Sequence, residues 1–440
     1  MKKELMKDLC RIFCIVGLIL VHFNLSAQIE KVKTIDKSFS VQKGALIKIS
    51  HQKGDLHVRK SMTNKVEARL YVSVIGNREA DVIALLDMIE IENNGNGKSQ
   101  LELSTKTNAV NWKKINGVST VEIKGGSKLR GIQEMQVDME VSVPEGVSLK
   151  LVNKYNNITL EEIKADVEIK NYNGNIETQN IDGDLKLDLK YGNATIGNVK
   201  NGDFEIYESK MVMGNCNSLK LNSKYSRHTF AKIKEADINS YEGNFEISDV
   251  QGDLVVEDKY SVWTIGFAKS CKIKSYDTEW TIGSIEDLFV RSKESEFNIG
   301  SADEIDCEKT YQDEMEIGTV GTFKCASSKY FDVEIGLLKK GLYLSQDYNG
   351  DIEINKVAST FEGAEISGKN CDVELPLENL KYQLEVDAKN ADISLEEEDL
   401  EAGFISEKNN QLQIKGKMNN ASDRSPKVII KGYNIDVELD

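Results

Sequence analysis

The tetrapeptide Trp263-Thr264-Ile265-Gly266 recurs seventeen residues later as Trp280-Thr281-Ile282-Gly283. The recurrence does not stop there. Stepping outward from the two tryptophans by 17 or 18 residues gives a column from Ile158 through Ile176, Ala194, Met211, His228 and Phe245 to Phe297, Met315, Val333 and Ile352. Its last members fall at Val373, Ile393, Leu412 and Val437. A second apolar position follows nearly every anchor by two residues, Thr178 being the exception. A further apolar pair precedes the anchor by about nine and seven residues, as at Leu254 and Val256, and one small or apolar site follows it by five, as at Val250, Ala268 and Ile285.

Each unit is therefore two short stretches of period two separated by a polar corner. Alternation of this kind turns one face of each strand inward. Two short strands cannot bury that face alone, so the units must stack on one another as a solenoid. Sixteen rungs at about 4.8 Å predict a rod on the order of 75 Å long. The expected fold is all-β: a parallel β-helix or β-roll solenoid of about 17–18 residues per rung, preceded by a strand-rich N-terminal capping region. On this reading Trp263 and Trp280 are inward neighbours in one core, rather than a paired ligand site. Gly197, Gly214, Gly266, Gly283, Gly300, Gly318 and Gly336 all stand three residues after an anchor, where the expectation is a corner with positive φ.

Outside the repeat, Lys2, Lys3, Lys7 and Arg11 precede an apolar run that ends at Leu25-Ser26-Ala27, the pattern of a cleavable signal peptide over residues 1–27. The run is short for a membrane span, and no other stretch approaches the required length. Residues 28–147 form the expected cap: one isolated rung at Ile47, Ile49, Leu56 and Val58, strands over 66–74, 101–104, 120–124 and 135–143, and a short helix over 79–88. Residues 148–440 carry the repeats, with a polar loop at 416–426 and a final rung at 428–439 whose outer edge is expected to lie open.

Charge narrows the partners. The net charge of −16 becomes about −18 without residues 1–27, which argues against nucleic acid. Five cysteines remain, Cys216, Cys271, Cys307, Cys325 and Cys371, with no C-x-x-C pair, so neither a zinc site nor a disulfide framework is indicated.

Val143-Pro144-Glu145-Gly146-Val147, followed by Leu149, Leu151 and Asn157-Ile158, resembles a bacterial family of exported repeat proteins called putative adhesins, of unknown function. Lys53-Gly54-Asp55-Leu56 and Tyr348-Asn349-Gly350-Asp351-Ile352 resemble its recurring Gly-Asp-Ile turn. The similarity covers about residues 40–440. It implies a β-solenoid outside the cytoplasm, periplasmic or at the cell surface, and brings no catalytic residues with it.

Candidates for chemistry are few. Residues 94–99 end like a phosphate-binding loop, but Glu92 stands where that motif needs its first glycine, so a polar hairpin turn is expected. His51, Asp55 and His57 are a conceivable metal set, yet on a rung with Leu56 and Val58 inward they are expected to face water. The acidic run 396–399 reads as a solvated turn, and the glycine-rich calcium nonapeptide is absent. Carboxylates scatter over outward positions without an acid–base constellation, and no cofactor is indicated.

One outward column stands out, three or four residues before the anchor: Tyr155, Tyr172, Tyr191, Tyr225, Tyr241, Tyr260, Tyr276, Tyr311, Tyr330 and Tyr348. It reads either as a ladder of rings sealing one edge of the core, or as a line of aromatic groups that grips an extended glycan or peptide. The expected role is an adhesin-like, non-enzymatic binding or scaffolding protein of the cell envelope, with a glycan or an envelope protein as partner. Its rivals are a carbohydrate-active β-helix enzyme and an envelope component that self-assembles through the solenoid ends.

Overall fold

A computed structural model describes residues 28–95, 98–115, 118–395 and 400–440. The proposed signal peptide, Asn96 and Gly97 of the polar turn, and the acidic run 396–399 lie outside the described residues.

The chain is a β-solenoid of about 13 turns with about 18 residues per rung. These turns follow one another in chain order from β11 (Ser148–Lys154) to β28 (Gly363–Glu374). Register is the one the column requires: Phe245 pairs with Trp263, Trp263 with Trp280, and Trp280 with Phe297, all parallel. The inward aromatics stack face to face, with centroids 3.9, 4.9 and 6.2 Å apart and planes within 15°. Trp263 and Trp280 are fully buried. The doubled tetrapeptide is thus one core position in two adjacent layers. Truncating either ring to Ala would cost about 3–5 kcal/mol in lost burial and cavity formation.

From β20 (Arg227–Tyr241) to β26 (Asp332–Tyr348), a single strand wraps almost the whole coil, because inward residues at the anchor, two and five places on, and again at eight or nine, keep the ladder continuous. One corner per coil turns through the left-handed region, and it lies three residues before the anchor: Tyr155, Asn173, Tyr191, Glu208, Tyr225, Glu242, Tyr260, Asp277 and Glu294 all have φ between 43° and 68°. This corrects the glycine expectation, since Gly266, Gly283, Gly300, Gly318 and Gly336 do not have positive φ. They are required for clearance instead. A Cβ on Gly300 would lie 2.4 Å from the carbonyl oxygen of Gly283 in the adjacent layer, and the same contact repeats up the stack.

At both ends the layers depart from chain order. The layer of β2 (Leu46–Gln52) and β3 (Leu56–Lys60) is followed in the chain by antiparallel β4 (Lys65–Gly76), helix α1 (Glu79–Asp87) and the hairpin of β5 (Glu90–Asn94) and β6 (Gln100–Lys106). A small three-stranded sheet of β7 (Ala109–Ile115), β8 (Val118–Ile123) and β9 (Lys128–Arg130) comes next, then β10 (Ile132–Val143). β6 and β10 pair parallel beneath β2 and β3, while β11 and β12 (Ile158–Leu160) pair above them. Residues 144–147 carry the chain across that trapped layer. β4, paired antiparallel to β10, and β1 (Ile29–Ser40), paired antiparallel to β4, cover the outer edge.

The C-terminal end repeats the device and overturns the expected order of the last rungs. β33 (Lys427–Glu438) inserts between β28 on one side and β29 (Tyr382–Lys389) with β30 (Asp392–Ser394) on the other. Val437 accordingly pairs with both Val373 and Ile393. Leu412 is not on the column: β31 (Leu400–Lys408) and β32 (Gln411–Met418) form an antiparallel hairpin, with Leu412 opposite Ala388 of β29. Residues 416–418 are therefore strand rather than loop. The rung at 428–439 is interior, so its edge is not open.

Candidate functional site

The tyrosine column is a surface ridge along the αL corner, and it is longer than the sequence reading made it. Tyr207 completes an unbroken file, Tyr155, Tyr172, Tyr191, Tyr207, Tyr225, Tyr241, Tyr260 and Tyr276, in which consecutive centroids are 5.3–5.8 Å apart and planes cross at 77–90°. The arrangement is edge-to-face, the favoured aromatic geometry. Tyr155, Tyr172, Tyr191, Tyr225 and Tyr260 each keep 40% or more of their surface in water, and Tyr207, Tyr241 and Tyr276 are half-buried. Tyr311, Tyr330 and Tyr348 form a second file at 6.1 and 6.4 Å. Lys293 bridges the two, lying 5.0 Å from the Tyr276 ring and 5.5 Å from that of Tyr311.

The alternation beneath this file is strict. Four residues before the anchor, Lys154, Tyr172, Lys190, Tyr207, Lys224, Tyr241, Lys259, Tyr276 and Lys293 are direct partners in successive layers. The alternation continues at the far end as Tyr348, Lys369, Tyr433 and Lys389, and only because β33 is inserted where it is. Lys369 lies 5.7 Å from the rings of both Tyr348 and Tyr433. Tyr433 and Tyr207 were legible by the four-residue spacing from Val437 and Met211. In-register parallel strands would otherwise set like charges opposite one another, and the lysine–tyrosine alternation avoids that.

Where tyrosine occupies this position, the next residue, in the αL conformation, is Asn, Glu, Asp or Gln; where lysine does, it is mostly tyrosine. The ridge therefore repeats chemically every two layers. Carboxylates are drawn to the phenols: hydrogen bonding to Glu208 pushes Tyr207 up to about 12, and Glu294 raises Tyr276 in the same way. The corner backbone stays in the ladder despite its strain, the Tyr155 N–H donating to the Tyr172 carbonyl at 2.7 Å and the Tyr225 N–H to that of Tyr241 at 3.0 Å.

Inside the same corner runs a file of buried polar groups. Asp258 accepts from Ser240, from Ser261 Oγ at 2.7 Å and from Thr278 Oγ1 at 2.8 Å. Asp313 accepts from Ser292 Oγ and from the backbone N–H of Ser295 and Tyr311, while burial raises its pKa to about 6. This file anchors the corner from within, layer by layer.

Beside the ridge lies a shallow, open groove of about 840 Å³ spanning five layers. Tyr191, Glu208, Tyr225, Glu242 and Tyr260 form one bank; Asn193, Lys210, Arg227 and Asn244 form the other. Gly192, Ser209, Ser226 and Gly243 lie between them in sequence and in the lining.

The other candidates disperse. His51 is buried, not solvent-facing, because it continues the inward alternation of Ile47 and Ile49; its Nδ1 is 2.6 Å from Thr105 Oγ1, and burial lowers its pKa to about 4. His57 is exposed on the opposite side of the backbone. His228 stacks 4.8 Å from Phe245 in the core, contacts Ser223 Oγ at 2.7 Å, and is held neutral by burial, with a pKa near 3. The five cysteines are buried and unpaired in disulfides. Among the described residues no helix is long and apolar enough to cross a membrane.

No protein-family model and no curated protein matches the chain. Among solved structures it is similar to a putative adhesin from Bacteroides fragilis, at 17% identity over 53% of this chain and 96% of the other, with a TM-score of 0.31. It is also similar to a putative adhesin from Parabacteroides distasonis, at 13% identity over 69% and 97% of the two chains, TM-score 0.28. A putative lipid binding protein from the same species aligns at 12% identity over 74% and 93%, TM-score 0.16.

Proposed function

We propose that this chain is a non-enzymatic, exported protein that binds at the bacterial cell envelope through its tyrosine ridge, the solenoid serving as a rigid backing. The observation that carries this reading is the placement of Tyr155, Tyr191, Tyr225, Tyr260 and Tyr330 in the left-handed region with their rings in water. That conformation is one tyrosine enters at a cost of about 1–3 kcal/mol. Asparagine serves the same corner at Asn173, Asn349 and Asn370 without an aromatic ring. Strain accepted repeatedly for exposed aromatic surface fits a binding face better than a packing need. The leader-like residues 1–27 support export.

Replacing Tyr225, Tyr241, Tyr260 and Tyr276 together by alanine tests the role. The expected result is loss of binding to intact cells and isolated envelope fractions with the circular dichroism spectrum unchanged. Undiminished binding by a folded quadruple variant would remove the ridge from the function.

A further inference from the structure

We infer that the groove beside the ridge takes an extended β-1,4-linked glycan, one disaccharide to every two layers; this rests on the binding role proposed above and names its ligand class. Layers are about 4.8 Å apart, so a bank that reads Tyr191, Glu208, Tyr225, Glu242, Tyr260 repeats its chemistry every 9–10 Å or so. In an extended β-1,4-linked glycan successive sugars are turned over, alternate sugars present the same face, and the repeat is a disaccharide of closely similar length. An extended peptide repeats its side-chain direction every two residues, roughly 6.6 Å, and falls out of step within two repeats.

Each two-layer unit offers an exposed phenol ring for the C–H face of a sugar and a carboxylate that accepts from hydroxyls. Across the groove stand amides at Asn193 and Asn244, an ammonium at Lys210 and the planar donor fork of Arg227. Glu208 and Glu242 on one bank are balanced by Lys210 and Arg227 on the other, and the chain as a whole carries −16. Such a channel suits a neutral, hydroxyl-rich polymer rather than a polyanion. Five layers span about 19 Å, room for four or five sugars.

Isothermal titration of the full chain with cellobiose, cellotetraose, cellohexaose, chitohexaose and maltohexaose tests this. Binding is expected for cellohexaose, chitohexaose or both, with the tetramer about tenfold or more tighter than the dimer and little gain beyond five sugars. The α-linked, curved maltohexaose is expected to bind about tenfold or more weaker. Tyr225→Ala at the groove centre should weaken binding by about tenfold, and Arg227→Gln, which leaves the αL corner untouched, by about threefold or more, whereas Tyr71→Ala, at an exposed tyrosine of β4 off the ridge, should change it less than about twofold. No heat with either β-linked hexamer, equal affinity for dimer and hexamer, or equal binding of maltohexaose overturns the glycan assignment. If cells are still bound in a manner lost in the four-tyrosine variant while no oligosaccharide binds, the glycan inference falls and the binding role stands; loss of neither in that variant sinks both.

Discussion

At the residue scale, the repeat is enforced by what cannot be added as much as by what is buried. Gly300→Ala places a methyl group 2.4 Å from a backbone carbonyl that has no freedom to retreat, so a loss of about 1–3 kcal/mol in chemical denaturation is expected. A loss below about 0.5 kcal/mol would contradict the clearance argument. His228 sets a pH dependence. Its folded pKa, near 3, and that of His51, near 4, lie below the unfolded value near 6.5, so both groups favour the fold above pH 6.5 and withdraw that support as pH falls. The slope is about 1.4 kcal/mol per pH unit for each histidine. Asp313, raised to about 6, opposes it between about pH 4 and 6, where its protonation favours the fold. His228→Phe extends the aromatic stack without a titrating group. It should flatten the fall in urea midpoint between pH 7 and 5; an unchanged fall would place the titration elsewhere. The inward tryptophans were legible because burial and spacing say the same thing at those positions. The glycines were legible as special but not for the right reason, since sequence shows that a Cβ is absent and not which neighbour excludes it.

At the element scale, the trapped layers matter most. β33 closes the gap between β28 and β29, so the last strand of the chain is an interior strand paired on both edges. Hydrogen exchange followed by mass spectrometry should find residues 427–438 protected to the level of 363–374, and well above the hairpin of 400–418. Rapid exchange of β33 would show that it is a peripheral strand. Sequence periodicity could not reveal this order. A column of apolar residues records that a strand is a rung, but Leu412 keeps the spacing while running antiparallel, and Val437 occupies a layer that precedes Ile393 in space. The lysine–tyrosine alternation does carry the information, since only Tyr433 between Lys369 and Lys389 keeps it unbroken. The rung of β2 and β3, strands β4, β6, β8 and β10, and the helix were found by local pattern, whereas β1, β5, β7 and β9 were not. Their interleaving was not, because it rests on pairings across more than eighty residues.

At the scale of the whole molecule, stacking converts a weak motif into a long feature. One tyrosine per coil means little alone, yet in-register layers set eight rings in contact and build a groove that no single coil contains. The ridge was legible as a column; its two-layer period, and with it the groove, emerged only when alternate positions were brought together. The ridge therefore depends on once-per-coil stacking. The direct test is a pulsed electron–electron distance between spin labels at Lys170 and Lys274, outward residues of one face related by six steps of in-register pairing. A single distribution centred at about 29 Å is expected, while a broad distribution or one centred below about half that distance would contradict the stacked order on which the ridge depends.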